Sequence, residues 1–191
     1  MAALSDVLIG PFDLASRIDE ALTVQALAFG LSDEEIAVRR HIVYRHMLQP
    51  GAWALGAQTG TGRLVGFVYG MPNDRRHWWS TIVEPYLRSA GIDHWLDDSF
   101  VITELHVHPD FQGRGIGRSL ITAITDGVDQ PRSILSALDI ESPARGLYRS
   151  LGYQDLALQV HFPSAPSPYA VMGAPLPLLR GTDFHPHQRP G

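Results

Sequence analysis

The stretch VITELHVHPDFQGRGIGRSL, residues 101–120, decides the fold. Its first part alternates apolar and polar residues and is rich in β-branched side chains, which predicts a strand that Pro109 closes. Three glycines, Gly113, Gly115 and Gly117, then lead into a segment with the apolar spacing of a helix. The stretch therefore predicts a strand, a glycine turn and a helix in direct succession.

The glycine turn has the features of an anion site. Glycine accepts positive φ angles and lets the backbone approach a ligand closely. The helix that follows presents amide groups without intrahelical acceptors, at the positive end of its dipole. Arg114 and Arg118 add positive charge beside it. We therefore predict that the turn binds a phosphate or pyrophosphate group.

Two familiar nucleotide-binding motifs do not fit this turn. A P-loop requires GxxxxGK[ST] and a dinucleotide-binding turn requires GxGxxG, whereas the glycines here are spaced G-x-G-x-G. The turn is also not the first strand–turn–helix of the chain, where a Rossmann domain would have it. These differences argue against a P-loop site and against a Rossmann dinucleotide site.

The segments before this stretch predict two helices and a hairpin. Residues 13–29 have helical spacing, and Ser32 with Glu35 forms a capping box for a second helix that runs to about Leu48. His41 and His46 on that helix are predicted to lie at the surface. Strands over 53–57 and 63–71 follow, joined by a turn. Residues 72–99 are predicted to be irregular, with a helix within 80–90.

The segments after it alternate between strand and helix patterns. Strands are predicted over 133–140, 153–162 and 169–174, with a helix over 143–151. We therefore predict a mixed α/β fold with a mostly antiparallel central sheet flanked by helices on both faces. Residues 1–176 are predicted to form a single domain, and the Pro/His/Gly-rich tail 177–191 to be mobile.

Composition narrows the range of partners. The net charge is −5, with 20 acidic and 15 basic residues, which argues against nucleic-acid binding. The absence of cysteine excludes a thiolate metal site and a cysteinyl intermediate. We predict no metal site, since His185 and His187 lie in the tail. No apolar run approaches the roughly 20 residues of a membrane span. The first ten residues lack the basic region of a secretion signal. We therefore expect a cytoplasmic protein without a membrane partner.

Two segments resemble one family. QGRGIG, residues 112–117, after a strand ending in x-V-x-P, resembles the acetyl-CoA pyrophosphate loop [QR]-x-x-G-x-[GA] of GNAT-superfamily N-acetyltransferases. ARGLYRSLGY, residues 144–153, resembles the family's A-x-x-L-Y-x-x-x-G-[FY]. The chain departs from the family at Glu141, where the family often has Asn; Glu141 and Ser142 remain as candidate caps of the helix.

The resemblance implies an N-acetyltransferase that moves the acetyl group from acetyl-CoA directly to a primary amine of a small molecule or peptide. It implies no covalent enzyme intermediate, a Tyr148 that protonates the departing thiolate, an oxyanion site near a bulge around residues 105–107, and a possible homodimer. The acetyl-CoA site that it implies comprises Leu105, His106, Val107, Gln112, Gly113, Arg114, Gly115, Ile116, Gly117 and Arg118. Two alternatives stay open: a non-catalytic acyl-CoA-binding or sensing module, and a nucleotide-binding regulator.

Strand alternation identifies candidates for the base. Glu104, His106 and His108 share one face of the strand, opposite Leu105 and Val107. A carboxylate in mid-strand needs water, a partner or a substrate, so Glu104 is the preferred base or relay. His106 competes with it, because imidazole titrates near neutrality.

The aromatic segment 72–99 is the predicted substrate wall. Trp78, Trp79 and Tyr86 are candidates for cation–π contact with an amine. The nearby carboxylates of Glu84, Asp93, Asp97 and Asp98 would attract a cation. The alternative is that these aromatics form local core and the carboxylates a solvated face.

Overall fold

The computed structural model describes residues 7–163 and 165–180. They form two compact units: residues 7–72 with 100–129 (the first unit), and residues 73–99 with 130–180 (the second unit). Within these residues the chain forms, in order, β1 (Val7–Pro11), α1 (Ile18–Phe29), α2 (Asp33–Met47), β2 (Trp53–Thr59), β3 (Leu64–Pro72), α3 (Trp78–Ser89), β4 (Ser99–Val107), α4 (Ile116–Asp126), β5 (Arg132–Leu138), α5 (Pro143–Ser150), β6 (Gln154–Val160) and β7 (Tyr169–Pro175).

The first unit is built on four antiparallel strands in the order β1-β2-β3-β4. Helices cover both faces of β3. Phe67 and Tyr69 pack into a core cluster with Ile18 and Leu22 of α1. Gly66 has the opposite orientation, and a Cβ there would lie 3.3 Å from Leu120 of α4. Strand β4 therefore enters the glycine turn from a sheet that is packed on two sides.

The second unit contains three strands in the order β5-β7-β6, with β7 antiparallel to both neighbours. Its core includes Ile134 and Leu135 of β5 and Val171 and Met172 of β7, all fully buried. Helix α5 connects β5 to β6, and α3 packs beside a short 3₁₀ helix, Asp93–Leu96.

The predicted fold class is confirmed: the chain is mixed α/β and its described strand pairs are mostly antiparallel. The capping box of α2 is also confirmed, because the Ser32 side chain accepts from the Glu35 amide and Glu35 accepts from the Ser32 amide. Helix α1 begins at Ile18 and not at Asp13, whose carboxylate instead accepts the Ser16 amide in the turn before the helix.

Three segments differ from the predictions. Strand β1 was not predicted, because its five residues include glycine and proline and form an edge strand. Within residues 72–99 the predicted helix is confirmed as α3, but the segment is less irregular than predicted, because the 3₁₀ helix Asp93–Leu96 follows it. The chain stays packed beyond residue 176, since Leu178 is buried and the Leu179 amide donates to Leu151 O; the rest of the predicted tail, 181–191, lies outside the described residues.

No helix in the described ranges is both long enough and apolar enough to span a membrane.

Candidate active site

Glu104 and His106 form a hydrogen-bonded pair on one face of β4. Glu104 Oε2 lies 2.6 Å from His106 Nε2, and the two side chains are 21% and 10% exposed. The predicted alternation along the strand is therefore correct for this pair. In the tautomer that carries its hydrogen on Nε2, His106 donates to the carboxylate and keeps a lone pair on Nδ1. The two candidates for the base are therefore the two members of one hydrogen-bonded pair.

The other carboxylate oxygen of Glu104 belongs to an ion pair. Arg39 of α2 donates from Nη1 to Glu104 Oε1 at 2.9 Å. Burial raises the pKa of Glu104, but the hydrogen bond with His106 and the charges of His106 and Arg39 outweigh it and leave the pKa below its ordinary value. Glu104 is therefore an ionised carboxylate with a partner on each oxygen.

A second buried pair consists of Tyr69 on the neighbouring strand β3 and His46 on α2. Tyr69 stands opposite Glu104 in the β3–β4 register, and its hydroxyl lies 3.1 Å from His46 Nδ1. Burial raises the pKa of Tyr69 well above its ordinary value, Glu104 adds to this and Arg39 opposes it, so the phenol stays neutral. The predicted surface position of His46 is wrong, because the imidazole turns inward to this phenol; His41 is exposed as predicted.

His108 lies apart from the Glu104–His106 pair. Its Nε2 is 3.1 Å from an Arg63 nitrogen, and its Nδ1 accepts the Asp110 amide at 3.2 Å. These contacts close the strand and begin the turn that follows it. His108 therefore has a structural partner on each ring nitrogen.

The glycine turn leaves its backbone open. Gly113 and Gly115 have φ angles of 72° and 80°, and a Cβ at either would meet no atom within 4 Å. Gly115 is the N-cap residue of α4. Positive φ, open space and the amides of the first helical turn fit the predicted pyrophosphate group. Ile116 is buried beneath the turn, whereas Gly117 and Arg118 continue along the first turn of α4.

Side chains hold the turn against the end of β4. Gln112 Nε2 donates to Val107 O at 2.9 Å. Arg114 donates to Asp110 O at 2.9 Å, and its guanidinium lies 5.1 Å from the centre of the Phe111 ring. The fixed glutamine of the motif thus tethers the turn, and Phe111 supports it, a contact that residue spacing did not reveal.

The bulge in β4 differs from its expected place. The register with β3 shifts at Thr103, which has no partner, whereas the region around Leu105 and Val107 pairs regularly. The shift falls opposite Gly70, where a Cβ would lie 2.3 Å from Val101 O and 2.5 Å from Phe100. In the pairing with β3 the irregularity therefore lies at Thr103, before the expected region 105–107.

The predicted substrate-wall residues all lie on α3 and have contacts in their own unit. Trp78 is 50% exposed and meets the Phe162 ring edge-on, Trp79 Nε1 donates to Ser136, and the Tyr86 hydroxyl accepts the His161 amide. These contacts favour the local-core interpretation for Trp79 and Tyr86, whereas Trp78 keeps half of its surface open.

Arg75 forms ion pairs with most of the acidic side chains of this segment. It binds the carboxylates of Glu84, Asp93 and Asp97 at 2.9, 3.4 and 2.6 Å. The expected attraction of these carboxylates for a cationic substrate is therefore reduced. Asp98 follows with a φ of 46°.

Tyr148 lies on α5 of the second unit. It is 8% exposed and its ring centre is 5.8 Å from that of Tyr153. Ser142 caps the helix by accepting the Arg145 amide. Glu141, the departure from the family pattern, does not cap the helix; it pairs with Arg149 at 2.7 Å.

Metal ligands are not grouped in the described ranges: no three His, Cys, Asp or Glu side chains there are arranged to hold an ion. His185 and His187 lie outside those ranges.

Comparison with known proteins identifies the family. A family model described as an acetyltransferase (GNAT) domain matches residues 51–155, more than half of the chain. The chain belongs to the GNAT acetyltransferase family. This GNAT chain is 27% identical, over 88% of its length and 96% of the relative's, to a GCN5-like protein acetyltransferase of Mycobacterium tuberculosis.

Solved structures share the fold. A protein from Desulfovibrio desulfuricans described as a GNAT-family acetyltransferase matches with a TM-score of 0.66 and 16% identity, over 88% of this chain and 98% of that one. A chain from the NatC complex bound to Gag peptide and CoA matches with a TM-score of 0.62 and 15% identity, over 90% and 99%. The predicted family is confirmed.

Proposed function

We propose that this GNAT protein transfers the acetyl group of acetyl-CoA directly to a primary amine, with no covalent enzyme intermediate. The observation that carries the proposal is the Glu104–His106 pair on the strand that leads into the glycine turn. One strand thus links a proton-accepting pair to an anion cradle.

The proposed reaction needs an acceptor for one proton. The amine nitrogen attacks the thioester carbon, a C–N bond forms, the C–S bond breaks, and the amine nitrogen gives up a proton. Glu104 alone is a weak base, since its pKa is lowered and both oxygens have partners. We assign the proton to His106 Nδ1, with Glu104 orienting the ring and stabilising the imidazolium.

Acetyl-CoA supplies the activated acetyl group when bound, and the chain supplies the cradle. The backbone of Gly113 and Gly115, with the first turn of α4, would receive the pyrophosphate oxygens, and Arg114 and Arg118 would add charge. Tyr148 is proposed, by its match to the family motif, to protonate the thiolate.

A peptide or protein amine is the acceptor class with the most support. The curated relative is named a protein acetyltransferase, and one similar structure holds a peptide together with CoA. Phe29, which is 48% exposed and meets the His106 ring edge-on at 5.9 Å, offers an apolar contact beside the proton-accepting pair. We further propose that the protein is cytoplasmic and forms a homodimer; light scattering of the purified protein tests the oligomeric state.

A two-stage experiment tests the proposal. The first stage measures the melting temperature with increasing acetyl-CoA, where stabilisation is expected. The second measures thiol release from acetyl-CoA with a panel of peptide and small-molecule amines, where a subset of amines is expected to react. Stabilisation without thiol release would instead support the non-catalytic acyl-CoA-binding module, and tighter binding of ATP than of CoA would support a nucleotide-binding regulator.

A further inference from the structure

We infer that Arg39 is a positioning residue for the proton-accepting pair: from α2 it holds the Glu104 carboxylate in the orientation that the bond to His106 requires. The inference rests on the proposed function. Sequence spacing gave no indication of it, because Arg39 and Glu104 lie 65 residues apart in the chain.

The first argument is geometric. Arg39 Nη1 binds Glu104 Oε1 at 2.9 Å, and His106 Nε2 lies 2.6 Å from Oε2. The terminal torsion of a glutamate side chain is soft and turns readily. Fixing one oxygen on α2 therefore keeps the other on His106 and sets which ring nitrogen can accept a proton.

The second argument is the charge around Glu104. Within the described residues, the groups that face it are Gln25 of α1, Arg39 of α2, Tyr69 of β3 and His106 of β4, with His46 behind Tyr69. Gln25 is neutral and Tyr69 stays protonated. Arg39 is therefore the one group of this set that carries a permanent positive charge, and it favours the ionised carboxylate.

Substitution at Arg39 should change the pH dependence of the reaction. Arg39→Met removes a positive charge beside the Glu104–His106 pair, so the pKa of Glu104 rises and His106, the assigned base, keeps its proton to a higher pH. In the pH profile of kcat/KM, we expect the acidic limb to lie at a pH about one unit higher than in the wild type. The KM for acetyl-CoA should change little. Arg39→Lys keeps the charge and should restore most of the wild-type profile.

Arg40→Met is the matched control. Arg40 is the next residue of the same helix, and it pairs with Asp19 of α1 instead of Glu104. Its loss should leave the acidic limb unchanged. A fall in activity of Arg39→Met with an unshifted limb, or a shift of equal size in Arg40→Met, would overturn the inference.

A second readout does not require activity. In protein labelled with ¹³C at the glutamate carboxyl carbons, the Glu104 resonance, assigned with Glu104→Gln, is titrated without acetyl-CoA or amine. The midpoint should rise in Arg39→Met and not in Arg40→Met; an unchanged midpoint overturns the inference. If the midpoint moves but the wild type acetylates no amine, the coupling of Arg39 to Glu104 stands and the proposed function fails.

Discussion

Two ion clusters, one in each unit, look alike in composition but differ in what they can do. The Glu104 cluster consists of Arg39, Glu104 and His106. The Arg145 cluster centres on Arg145, which is 4% exposed and binds Asp139 at 3.1 Å and Asp155 at 2.7 Å. Each places an arginine against at least one carboxylate that is buried or partly buried.

The difference lies in the third partner. The Glu104 cluster includes an imidazole, a group that can both accept and donate a proton through its two ring nitrogens. The Arg145 cluster holds only guanidinium and carboxylate groups. Its Asp139 also accepts the Gln159 backbone amide at 2.9 Å, and this bond, the Gln159 side chain and Arg145 lower the pKa of Asp139. Buried charge alone therefore does not indicate catalysis, and we propose a catalytic role for the Glu104 cluster because it includes a group that can exchange a proton.

The largest expected effect is the loss of activity when the Glu104 cluster loses its carboxylate charge. Glu104→Gln removes the charge that orients and stabilises His106, so kcat/KM for thiol release should fall about 10²–10⁴-fold while circular dichroism stays like that of the wild type. Glu84→Gln is the control, since Glu84 binds Arg75 and not a histidine. An activity of Glu104→Gln within threefold of wild type would contradict the assignment.

The next effect is the loss of stability when the Arg145 cluster loses its central cation. Arg145→Met leaves two carboxylates without their buried cation, which should lower the free energy of unfolding by about 3–5 kcal/mol in urea denaturation. Arg149→Met, whose guanidinium is 40% exposed, should cost much less. Equal losses in the two variants would show that Arg145 is not the centre of its cluster.

Tyr148→Phe tests the proposed acid in the second unit. Turnover should fall at least about tenfold, because the leaving thiolate loses its proton donor. Tyr153→Phe is the control: its hydroxyl is buried, its pKa is raised by that burial, and it bonds to Ser133 at 2.7 Å. Unchanged turnover of Tyr148→Phe over the full pH range would remove the acid role.

The smallest effect concerns the glycine turn. Gly115→Ala forces a side chain into a φ of 80° and should weaken acetyl-CoA binding by about fivefold, the equivalent of ~1 kcal/mol. Gly91→Ala is the control, with a similar φ of 70° and equally open space at a position in the second unit. Calorimetric titration with acetyl-CoA compares them, and equal losses would contradict a cradle at Gly115.

Local features were predictable from the sequence because short-range chemistry determines them. The capping box at Ser32, the turn at Gly115 and the shared face of Glu104 and His106 each depend on residues within a few positions of one another. Distant partners were not predictable. Arg39 meets Glu104 across 65 residues, and Arg75 meets Asp97 across 22, so only the folded chain reveals them.

The same reason explains the errors. His46 has the sequence surroundings of a surface helix, and the hydroxyl of Tyr69, which lies on another element, gives the buried imidazole a hydrogen-bond partner. The register shift at Thr103 lies opposite Gly70 of the neighbouring strand, where the two strands approach closely. Neither partner can be read from the residues next to it in the chain.

The central claim is that the Glu104 cluster moves a proton and the Arg145 cluster does not. The most direct test is the pH dependence of kcat/KM for amine acetylation in wild type, His106→Gln and Arg145→Lys. The account predicts an acidic limb in wild type that persists in Arg145→Lys and disappears in His106→Gln. A limb that survives unchanged in His106→Gln would contradict the claim.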